Sequence, residues 1–273
     1  MGFVRVVKAQ MTRWVKSEFF RPGNLIWNFV LPLTWGLQFY FLYIPFQFGE
    51  IALQLINGLN VHVNLVGYTL SGQVCWMLFV NASIFGGAFF LRERWGGTLE
   101  VLFLSPASRI GIVTGTALAG ASNFLWFILG LLIAVILLNV QLNVISWFAV
   151  VVSLFVSILV LIALGMFFET FFIASRLGGM WATAIQEPMQ FLSGLIFPIQ
   201  YLPKVLQIIS TAIPLTYVLL IVRGTLLGSL SLESIALELC FLTLTIFCLI
   251  GLCLIFLIRV ERHIKRHANL TMF

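Results

Sequence analysis

Nine carboxylates, three histidines and four cysteines are the reactive side chains of this 273-residue chain, and none of the carboxylates is an aspartate. His263 and His267 are four apart, a spacing that puts two imidazoles on one helix face. The intervening Ile264-Lys265-Arg266 supplies no carboxylate and adds two cations that repel a metal. That segment reads as an interfacial basic tail, with no metal site. Cys75, Cys240, Cys248 and Cys253 form no CxxC pair and suit the role of small apolar residues. No Ser/His/Asp set and no HExxH motif is present, so no catalytic residue is assigned. No Gly-x-x-x-x-Gly-Lys-Ser/Thr occurs to cradle nucleotide phosphates, and no aspartate is available to hold magnesium. The chain is expected to bind no cofactor of its own. What remains is a pair of acids within apolar sequence: Glu169, and Glu187 beside Gln186, Pro188 and Gln190. A carboxylate in hydrocarbon costs several kcal/mol unless it is paired or hydrated, so it faces a cavity, a partner or a local hydrogen bond. Pro188 frees a backbone carbonyl at the same level and invites a kink.

The elements that must position these acids are six apolar stretches, at about 25–46, 67–91, 111–138, 146–173, 179–197 and 233–258. A bilayer core about 30 Å thick needs about 20 helical residues; each stretch spans, or nearly so for the fifth. Continuous apolar runs without two-residue alternation exclude a β-barrel. The chain is 61% hydrophobic and 9% charged with a mean hydropathy of +1.10, more apolar surface than a soluble domain of this size can bury. The expected fold is an all-α membrane protein with six transmembrane helices in one domain, 24–258, without internal repeats.

Charge sets the expected orientation. Thirteen basic residues flank the amino terminus, the loop after the second stretch, the turn holding Arg176 and the carboxy-terminal segment; only Lys204 and Arg223 lie on the other side. Both termini are therefore expected in the cytoplasm. The net charge of +6 sits at span ends, which points to anionic lipid headgroups and away from nucleic acid. The first residues carry no expected cleavable signal, since about 23 mixed residues precede the first apolar run and no small-residue cleavage site follows. Val6 stands where myristoylation prefers Ser or Thr. Val4, Val7, Met11, Trp14 and Val15 recur at helical spacing, which predicts an amphipathic interface helix over 1–23, ending at Arg21-Pro22-Gly23. Residues 259–273 are expected to form a basic cytoplasmic tail. Gly111 and Gly115 form a GxxxG that permits close helix packing. The Asn81-Ala82-Ser83 sequon falls inside a span and carries no glycan in this reading.

The loop at 92–110 holds the densest charge. From Thr98 to Leu104 it favours a short helix with Leu99, Leu102 and Phe103 on one face and Glu100 turned away, stopped by Ser105-Pro106. Such a helix could dock in another protein's groove or rest on the membrane surface.

The run Arg92-Glu93-Arg94, then Gly96-Gly97-Thr98-Leu99-Glu100, followed by Ser105-Pro106-Ala107-Ser108-Arg109, resembles the cytoplasmic loop of ABC export permeases of the second type, the six-span partners of a separate ATPase in bacterial drug, lipid and polysaccharide export. Leu202-Pro203, Pro214-Leu215-Thr216-Tyr217 and Arg223 look like the family's signature near the last span; upstream, Ser193 fits whereas Leu195 is bulkier than the pattern prefers. The resemblance implies a coupling helix in which Arg94, Trp95, Thr98, Leu99, Glu100 and Phe103 meet the nucleotide-binding subunit, with the amphipathic helix as a second contact. It implies re-entrant helices in the outer leaflet over 198–232, carrying Pro203, Pro214 and Tyr217, with Arg223 anchored near the outer headgroups. ATP and Mg would sit in the partner ATPase, and a second permease copy, identical or paralogous, would complete the path in the cell membrane.

Glu187, with Gln186 and Gln190, is expected along the translocation path or the dimer seam, and Glu169 is expected to be structural, paired with Arg176. The competing class is an ion-gradient-coupled carrier using Glu169 and Glu187 as a relay without an ATPase. Carriers of that class commonly carry inverted repeats, and none is visible here. The cargo expected for a chain without a large outer domain is amphipathic: a drug, a lipid or a lipid-linked glycan.

Overall fold

The computed structural model of the chain describes residues 2–30, 34, 65–98, 101–102, 105–137, 146–174, 177–195, 199–226 and 234–267. Most of the first apolar stretch, along with Leu99, Glu100, Phe103, Arg176 and Pro198, lies outside these. The described residues are helical almost throughout, with no strand among them. Helix α1 (Phe3–Trp14) continues into a π-helical turn, Val15–Phe19, and α2 covers 22–30. The second stretch forms α3 (Leu65–Val80), a π-helical turn (Asn81–Phe85) and α4 (Gly86–Trp95). There follow α5 (Arg109–Ser122), α6 (Phe124–Leu137), α7 (Trp147–Ala174), α8 (Gly178–Leu192), a 3-10 turn (Ile199–Tyr201), α9 (Lys204–Thr211), α10 (Pro214–Leu226) and α11 (Ala236–His267).

Among the described residues, four helices are long and apolar enough to cross a membrane: Leu70–Trp95, Arg109–Gly130, Trp147–Thr170 and Ala236–Val260. A fifth candidate is broken, since α9 and α10 meet at 86°. Pro203 and Pro214 sit at the starts of those two helices, where a missing N–H leaves no bond unmade. The fifth stretch folds as α8, whose 15 residues rise only about 22 Å, short of the hydrocarbon thickness. The third stretch is split at Asn123. Asn123 accepts a hydrogen bond of 2.8 Å from Asn24 Nδ2, and Asn24 also donates to the Glu18 carbonyl, so the break is tied to the start of α2. The last helix runs on through the basic segment to His267, so the first part of the expected tail is helical.

Helix α7 is the centre of the bundle, with α3, α4, α5, α8, α10 and α11 packed round it. Its inward residues include Val160, Leu161, Leu164 and Phe168, whereas Val151, Phe155 and Leu159, spaced by one turn, face outward. Gly165 lies so close to the π-helical turn that an added Cβ would come within 2.6 Å of Ala82 Cβ. A larger apolar cluster holds Trp76, Phe79, Leu161, Leu195 and Leu219. A smaller one, with Val6, Phe90, Ile112, Met166 and Leu257, closes the end that carries the arginines of α1 and α4.

The amphipathic helix is present, and the face it buries overlaps the expected one at Trp14, with Val7 and Met11 half-buried, but is shifted toward Val6 and away from Val4 and Val15. Val6 and Trp14 point inward, and Val4 is 74% exposed. The reason is the Gly111/Gly115 pair. Cβ atoms added there would lie 3.2 Å from Val6 Cβ and 2.8 Å from Gln10 Cβ, so α1 packs directly on α5 with its Val6, Gln10 and Trp14 edge.

Candidate functional site: a charged cleft and a polar helix face

Between α1, α4 and α5 lies a cleft of about 380 Å³ whose floor includes Trp14, Phe89, Thr116 and Ala119 and whose rim carries Arg13, Glu18, Arg92 and Glu93. The rim is cross-linked. Arg13 Nη2 donates to Glu93 Oε1 at 2.7 Å and its guanidinium lies 5.2 Å from the Phe89 ring centroid. Arg92 Nη1 donates to Glu18 Oε1 at 2.8 Å, and Arg21 approaches the other oxygen of Glu18 at 3.5 Å. The second oxygen of Glu93 accepts the Thr98 hydroxyl hydrogen bond. Glu93 thus joins α1 to the residue where the loop begins.

The chain enters that loop through a glycine pair. Helix α4 ends at Trp95, and Gly97 adopts φ +68°, a conformation disfavoured for residues with a Cβ. The Gly97 and Thr98 amides return to the carbonyls of Arg94 and Glu93. Helical hydrogen bonds resume from Leu102 N–H to the Thr98 carbonyl and from Ser105 N–H to the Val101 carbonyl. Arg109 Nη1 then donates to the carbonyls of Leu102, Ser105 and Ala107 at 3.1–3.3 Å, folding the end of the loop back on itself. Ser108 caps α5 by accepting the Gly111 N–H.

The coupling residues expected from the sequence divide by role. Trp95 is 81% exposed, and Val101 beside them is exposed as well. Thr98 is exposed but anchored on Glu93. Arg94 turns the other way: its Nη2 donates to the Phe172 and Ile173 carbonyls at 3.1 and 3.0 Å, near the end of α7. Leu99, Glu100 and Phe103 fall outside the described residues. Sequence reasoning missed Arg13, Glu18, Glu93 and Arg109 as the residues that hold the loop. The available signal was charge density, since few charges exist in this chain and these cluster.

On α8, Gln186, Glu187 and Gln190 point in different directions. Gln186 is buried and donates to Ser83 Oγ of the π-helical turn at 2.8 Å. Glu187 and Thr183, one turn apart, are exposed on the bundle's outer surface, and Gln190 is half-buried. Glu169 is fully buried on α7 and accepts the Thr116 hydroxyl hydrogen bond at 2.8 Å. The structure does not bring Glu169 and Glu187 together. The expected Glu169 partner, Arg176, lies outside the described residues.

The signature residues hold the bent pair. Tyr217 donates its hydroxyl to the Thr211 carbonyl at 3.0 Å across the bend, and its ring lies 4.5 Å from that of Phe241 on α11. Arg223 is 9% exposed, with Nη1 and Nη2 donating to the carbonyls of Gly194 and Leu195 at 2.6 Å each.

Residues 5–227 match the family described as ABC-2 type transporter. No curated protein matches the chain.

Proposed function

The chain belongs to the ABC-2 type transporter family, and from that premise we propose that it is the permease of an ATP-driven exporter, with ATP and Mg bound by a separate subunit. As a member of the family it is a multi-pass membrane component of an ABC transporter, a transport subunit and not itself the catalyst. The finer reading places both termini and the charged cleft in the cytoplasm, by the distribution of lysine and arginine. There the loop at 92–110 is the coupling helix, and Trp95, Thr98, Leu99, Glu100 and Phe103 meet the ATPase, with Arg94 positioning them from behind.

One observation carries this reading: the loop is exposed at Trp95 and Val101, yet its base is locked to α1 through Glu93 and to α7 through Arg94. A segment that merely rested on lipid would need no such bracing. Force applied to it by a partner passes directly into α1, α4, α5 and α7.

The path follows from α8. Thr183 and Glu187 form a polar stripe on the outside of a single chain, and a carboxylate there is costly against lipid. A second permease copy, identical or paralogous, covers that stripe and leaves Glu187 and Gln190 along a shared path for an amphipathic drug, lipid or lipid-linked glycan. Pro203, Pro214, Tyr217 and Arg223 shape the bent pair as a re-entrant hairpin of the outer leaflet.

The test is purification of the native complex, with mass spectrometry of its proteins and lipids and transport measured in liposomes. An ATPase chain that co-purifies and whose hydrolysis drives export supports the proposal. Transport by this chain alone, driven by an ion gradient, refutes it.

A further inference from the structure

Arg223 lies far from the charged cleft, and neither docking of an ATPase nor the polar stripe requires it to be an arginine. Helix α8 ends at Leu192, and Gly194, at φ +81°, reverses the chain. The carbonyls that follow a helix end have no partner within the helix, and here two successive ones, Gly194 and Leu195, accept from the two terminal nitrogens of one guanidinium at 2.6 Å. A lysine offers a single point charge in place of that planar fork. The arginine comes from α10, the second arm of the 86° bend. Its head group also needs α3: a Cβ at Gly72 would stand 2.5 Å from Arg223 Nη2 and 3.2 Å from the Leu195 carbonyl oxygen. Three separate elements, the end of α8, the bent pair and the second span, therefore meet at one buried cation.

We infer that Arg223 is a positioning residue of the transport cycle: its forked bonds to Gly194 and Leu195, seated over Gly72, hold the outer end of the path closed, and opening that end breaks them. The inference rests on the reading that α8 faces the path. A static cap would be satisfied equally in every state of the cycle, whereas a latch must release in one of them.

The experiment is hydrogen–deuterium exchange of the native complex in lipid nanodiscs, read at 191–195. In nucleotide-free protein, Arg223→Gln should raise exchange there by about tenfold, and Arg223→Lys should restore part of the protection. Gly72→Ala, which keeps the arginine but pushes it aside, should act in the same direction. Combined with Arg223→Gln its effect should be less than the sum of the two, because both variants break the Arg223 contact. In the wild type, trapping with MgATP and vanadate should raise exchange at 191–195, while Arg223→Gln should be high in both states. Unchanged exchange in Arg223→Gln, additive effects of the two substitutions, or equal wild-type protection with and without trapping would each overturn the inference. A complex that neither contains an ATPase nor traps nucleotide would defeat the transporter reading instead, and the substitutions would then decide only whether Arg223 holds 191–195 in place.

Discussion

Glu93 is the point at which the loop is fastened to the rest of the chain, so removing it should free the loop without unfolding the bundle. In Glu93→Ala three things change. The Arg13 ion pair is lost; because the Arg13 side chain is 60% exposed, this is worth only about 0.2–1 kcal/mol. The Thr98 hydroxyl loses a charged acceptor, a bond worth about 1.5 kcal/mol at the lower end of its range, because Thr98 itself is exposed. No cavity of consequence forms, since Glu93 lies on the cleft rim. The sum is about 2 kcal/mol of local stability, or a factor of about 30 in the opening equilibrium of the loop. Hydrogen exchange at 97–102 should rise by that factor while amides in the α7 core stay unchanged. Glu93→Gln keeps the size and one acceptor, and should raise exchange only about threefold. An effect of Glu93→Ala below threefold, or equal effects of the two variants, would mean that the carboxylate does not fasten the loop. A rise that extends through α7 would mean that the network holds the fold and not the loop.

Three further outcomes follow from the same geometry. Trp95→Ala should leave thermal stability within about 0.5 kcal/mol, because the ring touches water, yet weaken ATPase binding measurably in a pull-down titration; unaltered binding would remove Trp95 from the docking face. Gly165→Ala should lower Tm in detergent, costing about 1–3 kcal/mol, since its Cβ would meet Ala82 Cβ at 2.6 Å and the Ala82 backbone at 3.0 Å; adding Ala82→Gly should recover part of the loss, and an unchanged Tm would contradict the packing. Glu187→Gln should alter cargo-stimulated ATP hydrolysis without loss of folded protein, and unchanged turnover and affinity would make Glu187 a scaffold residue.

The parts of this structure legible in the sequence are those set by pattern. Apolar runs announce the helices, prolines mark the starts of α9 and α10, and the Gly111/Gly115 spacing signals a close helix contact. The sequence does not say what each contact is with. Hydrophobic periodicity in α1 selects Val4, Val7 and Met11, because those residues complete an apolar stripe. The same stripe includes Trp14, which is buried, but the helix also buries Val6 and leaves Val4 exposed, because the glycines of α5 admit that edge. Arg223 is similar: a basic residue at a span end suggests headgroups, and only the turn at Gly194, 29 residues away, reveals carbonyls waiting for it. The break at Asn123 is hidden for the opposite reason, since Ser122-Asn123 is a brief polar step in a long apolar run and the partner, Asn24, lies 99 positions earlier.

What makes the cleft more than a surface feature is the helix that forms its back wall. Helix α5 begins at Arg109, whose guanidinium is itself bonded into the loop. Within its first two turns, Gly111 and Gly115 bring α1 into direct contact; Thr116 then reaches across to Glu169 on α7, and the helix ends at the Asn123 break tied to Asn24. Tightly packed helices transmit displacement because their contacts cannot compress. On the proposed function, a movement of the loop would carry α1, α4 and α5 together and would be absorbed where the regular α-helix is interrupted, at Asn123 and at the π-helical turn of Asn81–Phe85. The turn carries Ser83, which holds Gln186 of α8, so a displacement that starts at the loop reaches the polar helix one residue from Glu187. On the proposed function, that continuity is the physical route by which hydrolysis in a separate subunit would alter the surroundings of Glu187 without any nucleotide touching this chain.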